Sequence, residues 1–165
     1  WRERLKSLGK GPYIGIGWKS TNMSPGRLPN YAPILEWSPV LKIPDVTFIN
    51  LQYKDFEDDL VKVKDELGVK VHNFDDLDHY NDIDDVAALC TALDIIVSTK
   101  ITVPLISTGV GTPTKLANWK QSTWNNKLLN PVGSCVDIFE RNTWETWESL
   151  FGLISKEIKS FKKNG

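Results

Sequence analysis

The chain has 165 residues, 41% of them hydrophobic and 25% charged, values typical of one globular domain rather than of a disordered or fibrous protein. Its formal net charge of -1 argues against a general nucleic-acid binder, which usually carries a basic surplus. No apolar run approaches the roughly 18 residues of a membrane span, and the N-terminus has charge but no apolar signal segment. We therefore expect a globular protein without a membrane span.

Cysteine and histidine content predicts the chemical setting. Cys90 and Cys135 are too few for a disulfide framework, so we expect a reduced, cytoplasmic environment. Two histidines without a cysteine cluster do not supply a zinc site, and we expect no bound metal. Because the chain begins at Trp1 rather than Met, we also expect it to be part of a longer polypeptide.

Apolar and β-branched runs predict strands, and apolar residues at helical spacing predict helices. The predicted strands cover residues 13–18, 46–52, 69–72, 95–98, 114–117 and 136–139. The predicted helices cover residues 55–67, 82–93, 102–110 and 145–161. Gly68 follows the first of these helices as a C-cap, and Asp82 or Asp84 opens the second.

The alternation of these elements predicts an α/β fold, a Rossmann-like three-layer domain with a mostly parallel sheet. Residues 1–12 are expected to form a linker or partial helix, residues 13–142 the domain, and residues 143–165 an amphipathic helix packed on it. In such sheets ligands bind beyond the carboxyl ends of the strands, so the loops that follow the strands are the candidate sites.

The loop after the first predicted strand begins like a dinucleotide-binding motif, but Ser20 stands where the third glycine belongs. The next strand ends in Gln52, not in the acidic residue that holds the ribose of NAD. An NAD site is therefore disfavoured. Lys19 and Ser20 are either a cation and a hydroxyl that hold a phosphate or part of a solvated loop.

Three further loops have open interpretations. Lys100 and Thr102 lie at a strand-to-helix junction, where free N–H groups can bind an anion, but Thr102 can instead cap its helix. Residues 73–85 contain six Asp without the spacing of an EF-hand, which indicates helix capping and a solvated turn or a contact with a ligand hydroxyl. The aromatic and amide residues of 118–131 indicate either a base or sugar contact or a packed loop.

Together, these segments resemble a known family. It is the carboxyl-terminal half of bacterial tetratricopeptide-repeat glycosyltransferase-like proteins, related to heptosyltransferases and, more distantly, to O-linked N-acetylglucosamine transferases. The matching segments are residues 15–20, 48–53, 73–78, 81–89, 92–98 and 111–113, in order and at family spacing.

The resemblance implies one half of a GT-B architecture, in which two Rossmann-like halves face a cleft and the carboxyl-terminal half holds the nucleotide-sugar donor. It also implies an upstream half and helical repeats in the same polypeptide, with the nucleotide sugar as a substrate and no separate cofactor. The residues that match donor-binding positions are Lys19, Ser20, Gln52, Tyr53, Asp75, Asp76, Lys100 and Thr102.

The expected function is donor binding for glycosyl transfer to a protein or glycan acceptor. A helix N-terminus and nearby cations would stabilise the leaving diphosphate, and the acceptor's general base would come from the other half. This chain alone is therefore not expected to be a complete catalyst. Relatives often carry His where Leu105 stands and Asp where Lys100 stands. These departures favour one alternative, a degenerate binding or protein-interaction module; a GT-B epimerase-like domain is another.

Overall fold

A computed structural model of the chain describes residues 1–120 and 135–164, with side chains as far as Ser160. The helices are α1 (Arg2–Leu8), α2 (Ser38–Leu41), α3 (Glu57–Leu67), α4 (Ile83–Ala92), α5 (Val103–Val110) and α6 (Trp147–Asn164). The strands are β1 (Tyr13–Gly17), β2 (Thr47–Asn50), β3 (Val71–His72), β4 (Ile95–Ser98), β5 (Thr114–Trp119) and β6 (Val136–Arg141). Two 3-10 turns, Leu28–Asn30 and Ile34–Trp37, precede α2.

The six strands form one sheet in the order β3-β2-β1-β4-β5-β6. Every pairing between them is parallel, for example Ile14 with Phe48 and Ile14 with Ile95. The order reverses between β1 and β4, which is the switch point of a doubly wound sheet. The predicted Rossmann-like fold with a parallel sheet is confirmed.

Helices cover both faces of the sheet, as the continuous apolar strands require. On one face, here called the α3 face, residues of α2, α3 and α6 form a core around the fully buried Trp37 and Phe151, whose rings lie 4.3 Å apart. On the other, the α4 face, residues of α1, α4 and α5 pack around Leu5, Leu89 and Ile96. The edge where the strands end, the carboxyl edge, lies between these two layers.

The glycines of the first strand serve packing rather than the approach of a dinucleotide. A Cβ on Gly15 would lie 2.6 Å from side-chain atoms of both Leu51 and Leu93. A Cβ on Gly17 would lie 2.8 Å from Ile101. Contacts this short do not occur between real side chains, so the loops after β2 and β4 can close onto β1 only because these positions lack side chains.

Several helix and strand limits differ from the prediction. Strand β5 extends to Trp119, so Asn118 and Trp119 belong to the sheet and not to a loop. From residue 121 onward, the predicted loop 118–131 lies outside the described residues. The short turns between residues 28 and 41 escaped prediction because Pro29, Pro33 and Pro39 interrupt any helical period. Within the described ranges, no helix is long and apolar enough to cross a membrane.

Two predicted helix caps are confirmed. Gly68 adopts the left-handed conformation (φ 69°) after α3, and its N–H donates to the carbonyl of Lys64. The carboxylate of Asp82 accepts a hydrogen bond of 3.1 Å from the N–H of Asp85 at the start of α4. The Asp82 cap lies where α4 follows β3 at the carboxyl edge, whereas Gly68 ends α3 just before β3 begins.

Candidate functional site

The loops that follow β1, β2 and β4 meet at the switch point of the carboxyl edge. The N–H of Leu51 donates to the carbonyl of Ile16 (2.9 Å), and the N–H of Thr99 donates to that of Gly17 (3.0 Å). These bonds extend the strand ladders by one residue on each side of β1. The loops carrying Lys19, Gln52 and Lys100 are thereby held side by side.

The side chain of Lys19 turns toward the α3 face. Its amine lies 2.6 Å from a carboxylate oxygen of Asp59 on α3, and the indole N–H of Trp18 donates to the same oxygen at 2.8 Å. Lys62 lies 3.8 Å from the other oxygen of Asp59. The Lys19 and Asp59 side chains are only 24% and 14% exposed, so this cluster is partly shielded from solvent. The structure thus gives the predicted phosphate cation a carboxylate partner.

Gln52 is fully buried. Its side-chain oxygen accepts hydrogen bonds from the N–H groups of Trp18 (3.2 Å) and Lys19 (3.1 Å), and its amide nitrogen donates to the carbonyl of Lys19 at 2.7 Å. A longer contact of 3.5 Å joins the same nitrogen to the carbonyl of Lys54. The predicted ligand contact is therefore an internal link between two loops.

Tyr53 faces the α4 side of the edge. Its hydroxyl lies 2.8 Å from the Thr21 hydroxyl, and its ring lies 5.7 Å from that of Tyr80. The amine of Lys54 stands 4.6 Å above the Tyr80 ring, which is 59% exposed. Tyr53 and Tyr80 thus form an aromatic shelf at the carboxyl edge, with the Lys54 amine over the Tyr80 ring. Ser20, the residue before Thr21, is half-buried, and its hydroxyl accepts from the N–H of Asn22.

A cavity of about 130 Å³ opens beside this shelf, between α4 and α5. Its walls are mostly apolar, with two tyrosines, a histidine and a threonine as the polar exceptions; the lining residues are Leu51, Tyr53, His79, Tyr80, Ile83, Val86, Ile101, Thr102, Val103 and Ile106. An apolar hollow with a few converging polar groups is the usual character of a small-molecule site, although this one is smaller than a whole drug-sized pocket.

His79 holds the acidic loop against the end of β2. Its Nε2 lies 3.2 Å from the carbonyl of Asn50, and its Nδ1 lies 3.2 Å from that of Leu77. Burial lowers the pKa of His79, while the two carbonyls and nearby Asp78 act in the opposite direction. Its place in the cavity wall escaped prediction, because the sequence marked it only as a loop residue.

Thr102 precedes α5, and its side chain makes no capping hydrogen bond. The capping interpretation is therefore wrong, because the Thr102 hydroxyl accepts no hydrogen bond from the first-turn N–H groups of α5. Since Thr102 also lines the cavity, the start of α5 borders the same space as Tyr53 and Tyr80. This position fits the alternative interpretation, an anion site at the helix start.

Lys100 lies between β4 and α5 and is only 5% exposed. Burial lowers the pKa of Lys100, and the charge of Glu140 on β6 acts in the opposite direction. Asn118 on β5 donates to the Glu140 carboxylate at 2.9 Å. The buried side-chain oxygens of Asn118 and Thr99 have no hydrogen-bond partner among the described residues. This polar cluster lies toward β5 and β6, on the far side of the switch point from Gln52.

The two predicted acidic residues lie away from the cavity. Asp76 pairs with Arg4 of α1 at 2.6 Å, and this hydrogen bond lowers the pKa of Asp76. Asp75 is exposed and accepts from the side chain of Asn73 at 2.6 Å. Across the described parts of the chain, no group of three or more acidic, histidine or cysteine side chains is placed to hold a metal ion.

Besides His79, Tyr80 and Asp59 escaped prediction, each for a different reason. Tyr80 was hidden inside the acidic segment, although an aromatic residue in a loop that follows a strand is itself a signal. Asp59 gave no signal, because an acidic residue in the first turn of a helix is ordinary. Asp59 lies 40 positions after Lys19 in the chain, and only folding brings the two side chains into contact.

The fold shows the class of domain to which this chain is similar. It has the Rossmann-like α/β fold of glycosyltransferase GT-B domains. No family model matches the chain.

Two solved glycosyltransferase structures are similar to this chain in fold. The chain aligns with the glycosyl transferase family 9 structure from Veillonella parvula DSM 2008 with a TM-score of 0.62 at 13% identity, covering 94% of this chain and 43% of that one. It aligns with E. coli heptosyltransferase WaaC, solved with ADP, with a TM-score of 0.61 at 14% identity, covering 97% and 47%. The predicted likeness to heptosyltransferases is confirmed for the fold, and the relation to tetratricopeptide-repeat and O-linked N-acetylglucosamine transferases stays a prediction.

One curated protein is similar in sequence over nearly the whole chain. Protein FlbA from Caulobacter vibrioides is 33% identical over 165 residues, which is 98% of this chain and 27% of FlbA. The chain therefore spans about a quarter of that relative and less than half of the solved glycosyltransferases.

Proposed function

We propose that this chain is the nucleotide-sugar donor-binding domain of a glycosyltransferase, which transfers the sugar to a protein or glycan acceptor. The observation that carries the proposal is the cavity at the carboxyl edge. It joins an aromatic shelf to the start of α5, beside the switch point of the sheet. In doubly wound sheets, this is where nucleotides bind.

Each part of the edge suits one part of such a donor. Tyr53 and Tyr80 offer ring faces on which a nucleobase can stack. The N-terminal turn of α5 at Thr102 offers N–H groups to the diphosphate, and Lys100 adds a positive charge in the preceding loop. The 130 Å³ hollow admits part of a nucleotide, with the remainder lying over the open edge. The solved neighbour WaaC carries ADP, which supports a nucleotide ligand.

Transfer itself belongs to the larger protein. The proposal places the general base and the acceptor site in an upstream half that faces this edge, in the same polypeptide. Here the nucleotide sugar is a substrate, and the proposal invokes no separate cofactor. This domain would hold the leaving diphosphate as the sugar departs, where N–H groups and a cation stabilise the developing negative charge.

Calorimetric titration with ADP, UDP, GDP and CMP tests the proposal. We expect saturable binding of one nucleotide, weakened about 5- to 150-fold in Tyr80→Ala, since base–aromatic stacking is worth about 1–3 kcal/mol. Thr102→Ala tests whether the loop before α5 contributes to nucleotide binding, and Lys19→Ala tests the same for the loop after β1. Asp76→Asn is the matched control, because Asp76 pairs with Arg4 of α1 and does not line the cavity. Binding that Tyr80→Ala leaves unchanged would place the nucleotide elsewhere.

A second candidate is a non-catalytic interaction module. The observation that favours it is Leu105, an apolar side chain on α5 that is 43% exposed, where relatives of the resembled family often carry His. Failure of all four nucleotides to bind would contradict the first proposal for this chain and favour the second.

A further inference from the structure

We propose that Gln52 is a positioning residue, which holds the loop after β1 in place through a buried relay of side-chain amides along the strand ends. This proposal rests on the donor-binding function, because that loop borders the proposed site. It also reassigns Gln52 from ligand contact to support. The relay consists of Asn73, Asn50 and Gln52.

The direction of the Gln52 amide is fixed by its partners. The N–H groups of Trp18 and Lys19 are donors, so the atom that both approach must be the oxygen, and the nitrogen faces the carbonyl of Lys19. The side chain thus replaces a peptide unit. It continues the ladder between β1 and β2 beyond the last backbone bond, from Leu51 to Ile16.

Asn50 supports Gln52 from behind. Its side-chain oxygen accepts from the N–H of Gln52 at 2.8 Å, and its amide nitrogen donates to the carbonyl of Gln52 at 3.0 Å and to the side-chain oxygen of Asn73 at 2.8 Å. Asn73 in turn donates to Asp75. Asn50 and Gln52 are fully buried, so water does not compete for these bonds.

The relay leaves the loop anchored at two points. Gln52 holds its start at Trp18 and Lys19, and the Tyr53 hydroxyl contacts Thr21 two residues further along. Ser20 lies between the two anchors and is therefore presented at a set place on the edge. Because the N–H groups of residues 18 and 19 already donate to Gln52, they are not donors to a phosphate.

Amide hydrogen exchange measured by NMR tests the relay without any ligand. In Gln52→Met, we expect protection at the N–H groups of Trp18 and Lys19 to fall at least tenfold, while the N–H of Leu51, bonded to Ile16, keeps its protection. Unchanged protection at the first two amides would overturn the proposal. A uniform loss across the sheet would also overturn it, since Gln52 would then serve only general stability.

Gln52→Glu is a second variant, and a recovery with pH confined to the two amides bonded to residue 52 is the readout that a general effect on stability would not give. Its ionised carboxylate can still accept from both N–H groups but repels the carbonyl of Lys19, whereas the protonated acid restores the missing donor. We expect protection factors at Trp18 and Lys19 to recover several-fold as the pH falls from 8 to about 5. Asp76→Asn is the control and should show no such recovery. The absence of recovery in Gln52→Glu would count against the relay.

ADP titration links the relay to the proposed function. If the wild-type chain binds ADP, Gln52→Met should weaken binding at least tenfold, and Ser20→Ala should add nothing further in that background. Additive losses would show that Gln52 does not act through the loop. If the wild-type chain binds no ADP, the donor proposal fails for that nucleotide, and the exchange experiment still decides whether the relay exists.

Discussion

The two halves of the carboxyl edge differ in how completely their buried polar groups are paired. At the ends of β1, β2 and β3, the amides of Asn50 and Gln52 are bonded on both their oxygens and their nitrogens. At the ends of β4 and β5, the buried oxygens of Thr99 and Asn118 find no partner among the described residues. The first half is therefore built for rigidity, while the second holds polar groups that the described residues leave unsatisfied.

The largest effect expected from this difference is on Asn50. Asn50→Leu removes the partners of the Gln52 N–H, the Gln52 carbonyl and Asn73 at once. Stranding buried polar groups costs about 1–3 kcal/mol each, so we expect a loss of about 3 kcal/mol in the free energy of unfolding. Urea unfolding followed by tryptophan fluorescence measures it. A loss below about 1 kcal/mol would remove the contrast between the two halves.

Asp59→Asn tests the ionic cluster beside the first half. The amide keeps one acceptor for the indole of Trp18 but loses the charge that pairs with Lys19, at 2.6 Å. We expect a destabilisation of about 1–2 kcal/mol. The bond between Lys19 and Asp59 is partly shielded from solvent, and a shielded charge-assisted bond contributes more to stability than a neutral one. Repeating the unfolding at high salt is the check: the difference from the wild type should shrink.

Asn118→Leu is the matched counterpart of Asn50→Leu in the second half. Among the described residues, the Asn118 side chain makes one hydrogen bond, to the exposed Glu140, and its oxygen has no partner there. We expect a loss of about 1 kcal/mol or less. If the two leucine variants proved equally destabilising in the same urea experiment, the count of satisfied bonds would not explain the difference.

Thr99→Val should have the smallest effect of these substitutions, and of opposite sign. The two side chains have similar shape, and the hydroxyl that is removed has no partner among the described residues. Burying an unpaired hydroxyl costs free energy, so its removal should stabilise the fold by up to about 1 kcal/mol. A clear destabilisation would show that the Thr99 hydroxyl is satisfied in solution.

The pH dependence of stability tests the two partly buried histidines, His72 and His79. Burial lowers the pKa values of His72 and His79 in the folded state, so the unfolded chain takes up protons first as the pH falls. Stability should therefore decline as the pH falls through the ordinary histidine range of about 6.5. His79→Gln should flatten that decline. An unchanged slope would show that His79 contributes nothing to it.

The strands were readable from sequence because their apolar, β-branched runs are local signals, and β4 was predicted to the residue. Some residues of the candidate site could also be predicted, because polar side chains that follow strands can be recognised in the sequence. The directions in which these side chains point could not be predicted. Lys19 turns to the α3 face because of Asp59, and Gln52 turns inward because two N–H groups without other partners face it. Both causes lie more than thirty positions away in the chain.

The central position of β1 affects how the domain folds during synthesis. Ser98 bonds to Gly17 across 81 positions, so β1 lies beside β2 long before β4 exists. At about 5–20 residues per second, its second edge stays unpaired for several seconds. We expect the apolar β1–β2–β3 ribbon to be open at that stage to pairing with strands of other chains, because an unpaired strand edge is a template for such pairing.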